Sequence, residues 1–120
     1  MTRDRGGTTV RQALDDVRRR GRSGHSGPVS VRFDPGPDAH LFAFAIGRRV
    51  GSAVIRNRIR RRMKAIIAGE QARLPRGTYL FSAKPDVVEL TFEEMRNAMI
   101  AALERATGPR AGARPTGATS

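Results

Sequence analysis

Residues 54–67 read VIRNRIRRRMKAII, six basic side chains among six bulky apolar ones and no acid. On a wheel of about 100° per residue, Ile55, Ile59, Met63, Ile66 and Ile67 share one arc. Asn57, Arg58, Arg60, Arg61 and Lys64 take the opposite arc, with Arg56 and Arg62 at its borders. Ser52 is placed to cap the N-terminus and Gly69 to follow the last turn, so the spacing predicts a helix over 53–68. Half of that helix needs a core. The other half is a continuous basic strip.

The strip is not ordinary solvent cover. From Arg48 to Lys64 there are eight basic residues in 17, and residues 41–69 contain no Asp or Glu. Arg56/Arg60, Arg58/Arg62 and Arg60/Lys64 are like-charge pairs at i,i+4, which destabilise a helix. A phosphate-rich ligand removes that penalty, and the planar Arg fork suits phosphate. The whole chain agrees: in 120 residues, 23 Lys+Arg oppose 11 Asp+Glu, a net charge of +12. Of those 23, 21 are Arg, a ratio that GC-rich coding bias would explain. Such a bias explains neither the excess over acids nor its clustering. Counterion release makes nucleic-acid phosphate the natural polyanion. No membrane partner is expected, because no helix has bulky apolar residues free to insert and no run approaches the ~20 residues of a span.

Upstream of the strip, LFAFAIG at 41–47 alternates as a strand. Phe42, Phe44 and Ile46 point one way as core, while Ala43, Ala45 and Gly47 keep the other face shallow. Small side chains there fit either a closely packed helix or a ligand. Further upstream, Thr9-Val-Arg-Gln12 has capping-box spacing, and Val10, Ala13, Leu14 and Val17 follow at helical period to Gly21. This predicts a helix over 10–20. Its last turn, Arg18-Arg19-Arg20, complements the helix dipole as readily as it would contact RNA. RSGHSGP, 22–28, reads as a loop. Val29, Val31 and Phe33 form a half-buried strand, and Asp34-Pro-Gly-Pro-Asp38 reads as a turn.

Downstream, GTYLFSAKP at 77–85 predicts a strand with Tyr79 and Phe81 on one face. Thr91-Phe-Glu-Glu94 is a second capping box, with Leu90 and Met95 placed as a hydrophobic staple. Phe92, Met95, Met99, Ile100 and Leu103 stripe a final helix over 92–106, which Gly108-Pro109 stops. The sum is an α+β fold, a sheet with helices gathered on one face. Residues 8–108 make one domain, between mobile tails at 1–7 and 109–120 that are Gly-, Pro-, Thr- and Arg-rich. MTRDRGG lacks the apolar core of a secretory signal. Cys is absent, which fits a reducing compartment, and a cytoplasmic location is expected.

Nothing resembles a catalytic constellation. His25 and His40 are isolated beside turns, without partners at metal-ligand spacing. Asp34, Asp38, Asp86 and Glu89 read as turn and loop residues rather than metal ligands. A helix-turn-helix DNA reader is disfavoured because strands flank the basic helix.

GRRVGSAVIRNRIRRRMK, residues 47–64, resembles the signature of the bacterial ribonuclease P protein component. The match covers Gly47, Arg48, Arg49, Val50, Gly51, Ala53, Val54, Arg56, Asn57, Arg58, Arg60 and Arg61 without a gap. More loosely, it extends over about residues 9–106. The resemblance implies a two-layer α/β sandwich in the order α-β-β-β-α-β-α, with a left-handed crossover placing the Arg-Asn-Arg helix. It implies two RNA partners, ribonuclease P RNA and precursor tRNA, and no obligatory protein partner. The cofactor would be Mg²⁺ bound by the RNA, not held by a dedicated protein site. By the same likeness Arg48, Arg49, Arg56, Asn57, Arg58, Arg60, Arg61, Arg62 and Lys64 face the catalytic RNA. Val10, Leu14, Val17, Ala43, Ala45 and Gly47 would line a cleft for the single-stranded 5′ leader. This sequence departs from the family where aromatic residues usually stand on the first helix and Ser often stands on the strand. Stacking is worth about 1–3 kcal/mol per base, so leader binding here is expected to be weaker or more electrostatic.

Overall fold

The computed structural model describes residues 10–36 and 39–108. The proposed tails, the capping residue Thr9 and the turn residues Pro37 and Asp38 lie outside the described residues. Helix α1 (Val10–Arg20) leads into strands β1 (Arg22–Ser26), β2 (Val29–Pro35) and β3 (Leu41–Ala45). Helix α2 (Ala53–Glu70), strand β4 (Gly77–Ala83) and helix α3 (Phe92–Thr107) follow. Short 3₁₀ turns at Arg48–Val50, Gln71–Arg73 and Pro85–Glu89 join them. The order is α-β-β-β-α-β-α, the mixed α+β arrangement expected.

The strands form one sheet in the order β1-β2-β4-β3. β1 pairs antiparallel with β2, and β2 with β4. β3 and β4 run parallel, so the chain crosses over through α2 between them. Alternation then sorts the side chains. Val29, Val31, Phe33, Tyr79 and Phe81 enter the core with Ile59, Met63, Ile66 and Ile67 of α2 and Met95, Met99 and Leu103 of α3. Phe42 and Phe44 pack at its margin, their rings 4.9 Å from Tyr79 and 5.5 Å from Phe81. The Tyr79 hydroxyl donates to the Pro75 carbonyl, and burial pushes its ionisation above the ordinary tyrosine range.

Several expectations change. Residues 22–26 are strand β1 rather than loop. Its core-face residues carry no apolar side chain because the backbone of α3 lies against it: a Cβ on Gly24 would stand 2.1 Å from the Ala102 carbonyl oxygen. Asp34 and Pro35 belong to β2, paired with Thr78 and Gly77, so the turn starts later than expected. Gly69 does not end α2. The helix runs through it to Glu70, which is only 8% exposed and pairs with Arg73 at 3.0 Å and Arg96 at 3.9 Å. The expected core residue Phe92 is 45% exposed.

The helices do not all gather on one face. α2 and α3 cover the core face, but α1 lies over β2 and β4 from the other side. Val17 and Leu80 are both buried yet outside the main core cluster. Leu80 alternates with Tyr79 and Phe81 and so points away from the core. Arg32, on the same side, donates to the Gly21 carbonyl at 3.1 Å and holds the end of α1 to the sheet.

Candidate nucleic-acid interface

Two surfaces carry the residues singled out above. The first begins where β3 ends. Ile46 and Val50 are buried, which anchors the Arg48–Val50 turn and leaves Arg48 and Arg49 exposed. That turn packs against the Pro85–Glu89 turn, whose Val87 is also buried. Ser52 then caps α2, its Oγ accepting from the Ile55 amide at 3.4 Å. Burial follows the wheel: Ile59, Met63, Ile66 and Ile67 are buried and Ile55 half-buried. Asn57, Arg58, Arg61 and Lys64 are exposed; Arg56 and Arg62 at the borders are half-buried, as is Arg60.

None of Arg48, Arg49, Arg56, Arg58, Arg60, Arg61, Arg62 and Lys64 pairs with a carboxylate among the described residues. Two of them make neutral contacts. Arg56 Nε donates to the Gly51 carbonyl at 3.2 Å, and Arg60 donates to Asn57 Oδ1 at 2.9 Å. Asn57 Oδ1 therefore has a partner within the helix, and the exposed residue keeps its amide as a hydrogen-bond donor. A shallow depression runs along this side, lined by Val54, Asn57, Arg60, Arg61 and Lys64. Val54, 67% exposed within it, lies off the core arc. Helical spacing alone places it there, since 54, 57, 61 and 64 fall on one stripe.

The second surface is the sheet face that α1 only partly covers. Ser30 and Arg32 of β2, Leu80 and Ser82 of β4, and Ala43 and Ala45 of β3 share it by alternation and register. Ala45 and Gly47 are exposed, and Ala43 is half-buried. On the helix, Leu14 is half-buried and Val10 is 59% exposed. Val17 is completely buried, so it seats α1 on the sheet and has no surface to offer a ligand. Ser30, Arg32 and Ser82 were absent from the expected cleft. Their alternation was visible in the sequence, but only the strand order shows that they share a face with Ala43 and Ala45.

Among the described residues, no group of three or more His, Cys, Asp or Glu is placed to hold a metal ion. No helix there is long and apolar enough to cross a membrane.

The chain and its fold have known relatives. The family model for ribonuclease P matches residues 9–107. This chain belongs to the ribonuclease P protein family. The ribonuclease P protein component of Clavibacter michiganensis is 36% identical over 91 residues, covering 73% of this chain and 80% of its own length. That of Nitratiruptor is 34% identical over 96 residues, covering 80% and 87%. The relative from Thermus aquaticus is 33% identical over 87 residues, 72% of this chain, and the chain spans 52% of its length. Among solved structures, the family's fold is shared with the RNase P protein from Thermotoga maritima. The TM-score is 0.73 at 21% identity, over 83% of this chain and 96% of that one. The Staphylococcus aureus RNase P protein gives 0.72 at 15% identity, over 79% and 91%.

Proposed function

We propose that this chain is the protein subunit of a ribonuclease P, acting in the cytoplasm in the maturation of precursor-tRNA 5′ ends. The basic strip of α2 docks the ribonuclease P RNA, and the groove beside α1 takes the single-stranded 5′ leader. The catalytic group belongs to the RNA, which hydrolyses the phosphodiester with Mg²⁺. The observation that carries this reading is the cationic face of α2 without carboxylate counterions among the described residues. Those like charges are tolerated in the free helix at a cost that RNA phosphates remove.

The chain's part is electrostatic. Arg48, Arg49 and the α2 cations lower the repulsion between two polyanions, so less Mg²⁺ is needed to bring them together. The exposed face of α2 does not itself suit a divalent ion: its oxygen donor, Asn57 Oδ1, already accepts from Arg60 and lies among cations.

The deciding measurement is precursor-tRNA cleavage by ribonuclease P RNA at limiting Mg²⁺, with and without the chain. The unaltered chain should stimulate cleavage strongly, and Arg56→Ala with Arg58→Ala should remove most of that stimulation. Absence of stimulation by the unaltered chain would sink the assignment.

A further inference from the structure

Three arginines close α1, and the structure separates them. Arg19 is paired with Asp16; Arg20 pairs with Asp34 at 3.3 Å and with Asp16 at 3.7 Å. Arg18 is exposed and makes no ion pair or hydrogen bond among the described residues. A favourable interaction with the helix dipole applies to all three and does not explain this difference.

Position explains it. On the helix, Arg18 lies about half a turn round from the midpoint of Asp16 and Arg20. It stands one turn beyond Leu14 and two beyond Arg11, which is likewise exposed with no ion pair among the described residues. The Asp16–Arg20 flank is drawn toward Asp34, at the C-terminal end of β2. The flank carrying Arg11, Leu14 and Arg18 therefore looks the other way along the same sheet face. There Ser30, Ser82 and Ala45 lie in one row across β2, β4 and β3.

We infer that Arg18, supported by Arg11, grips the phosphates of the single-stranded leader, so that the leader is recognised by charge and not by base identity. This rests on the reading of the groove as the leader site. The row at its floor offers hydroxyls and a methyl across β2, β4 and β3; its one ring, His25 at the β1 edge opposite Ser30, has its imidazole tied to Ser30 Oγ at 3.1 Å, and the wall offers Leu14 between two cations. Phosphate recurs at every nucleotide and carries no sequence information. A guanidinium that also lies flat on a base tolerates any base.

The test uses the holoenzyme reconstituted from the full chain and ribonuclease P RNA, with cleavage blocked. The quantity read is the affinity for precursor tRNA divided by the affinity for the same tRNA without its leader. Arg18→Ala should lower that ratio about tenfold, the scale of one charge-assisted contact, while binding of the chain to ribonuclease P RNA stays unchanged. Arg18→Lys should keep most of the ratio, and Arg19→Ala all of it. In the Arg11→Ala, Arg18→Ala double variant, the salt slope of the ratio should shrink by about 1–2, as expected for two released contacts on a single strand. All-U and all-A leaders should bind within about threefold of each other, because stacking does not decide. An unchanged ratio in Arg18→Ala with normal RNA docking overturns the inference and leaves the subunit assignment standing. So does a leader-base preference much above tenfold. An unaltered holoenzyme that ignores the leader overturns the inference together with the groove reading; failure to dock at all overturns the assignment. Circular dichroism of Arg18→Ala separates these outcomes from loss of α1.

Discussion

At the scale of single residues, two glycines that look alike in sequence carry opposite costs. Gly24 sits on β1 with the α3 backbone pressed against it, the Ala102 oxygen and the Ala106 nitrogen 2.1 and 2.8 Å from where a Cβ would stand. Backbone atoms cannot swing aside as a flexible side chain can. Gly24→Ala should therefore lift α3 from the sheet and cost about 1–3 kcal/mol, seen as a lower urea midpoint at unchanged slope. Gly69 is the reverse case. It lies inside α2 and a Cβ there would meet nothing within 4 Å, so Gly69→Ala should gain about 0.5–1 kcal/mol from helix propensity alone. If Gly24→Ala leaves the midpoint unchanged or raises it, the packing described for α3 on β1 is wrong. The same pair shows what the sequence concealed. RSGHS has no apolar alternation to mark it as a strand, because a helix backbone fills the space side chains would occupy. At Gly69 the ordinary stop signal was misleading, because Glu70, pairing with Arg73 and Arg96, gives the helix a further residue to hold.

At the scale of elements, those with a one-sided apolar stripe were legible and those placed by topology were not. α3 begins where its capping box said, with the Thr91 amide donating to Glu94 at 2.8 Å and the Glu94 amide to Thr91 at 3.0 Å. The two faces of α2 divide as the wheel divided them. The stripe of Val10, Leu14 and Val17 alone would fit either face of the sheet; only the family resemblance set α1 beside Ala43 and Ala45. So the basic strip followed from local spacing and the cleft residues from the resemblance, whereas the place of Ser30, Arg32 and Ser82 beside them needed the strand order, and Arg18 needed its neighbours' ion pairs. α2 also yields a prediction of opposed effects. Arg58→Glu places a carboxylate four residues before Arg62, turning a repulsive pair into the favoured orientation. The free chain should be unharmed or gain about 0.3–0.5 kcal/mol, roughly 1–3 °C in melting temperature. Affinity for ribonuclease P RNA should fall by about tenfold or more, because one phosphate contact becomes a repulsion. A variant that melts lower and still docks normally would show that Arg58 serves the fold and not the interface.

For the whole molecule, salt should act with opposite signs on stability and on binding. The chain carries a net charge of +12, and along α2 the described cations have no carboxylate partners. In the free state that charge repels itself and favours expansion. Raising ionic strength from about 0.02 to 0.3 M shortens the screening length from roughly 20 Å to under 10 Å, so the melting temperature of the free chain should rise. The few ion pairs that salt weakens are exposed on at least one partner, and contribute little at any ionic strength. If the strip docks ribonuclease P RNA as proposed, phosphates should neutralise the same cations, and binding itself should raise the melting temperature by mass action. Salt then removes that gain, with log affinity falling by roughly 4–6 per decade if about six phosphates are contacted. The two melting curves, free and RNA-bound, should therefore converge as salt increases, the free one climbing and the bound one descending. Parallel curves, or a free chain that salt destabilises, would mean that the arginines on α2 are balanced within the protein and were never waiting for a polyanion.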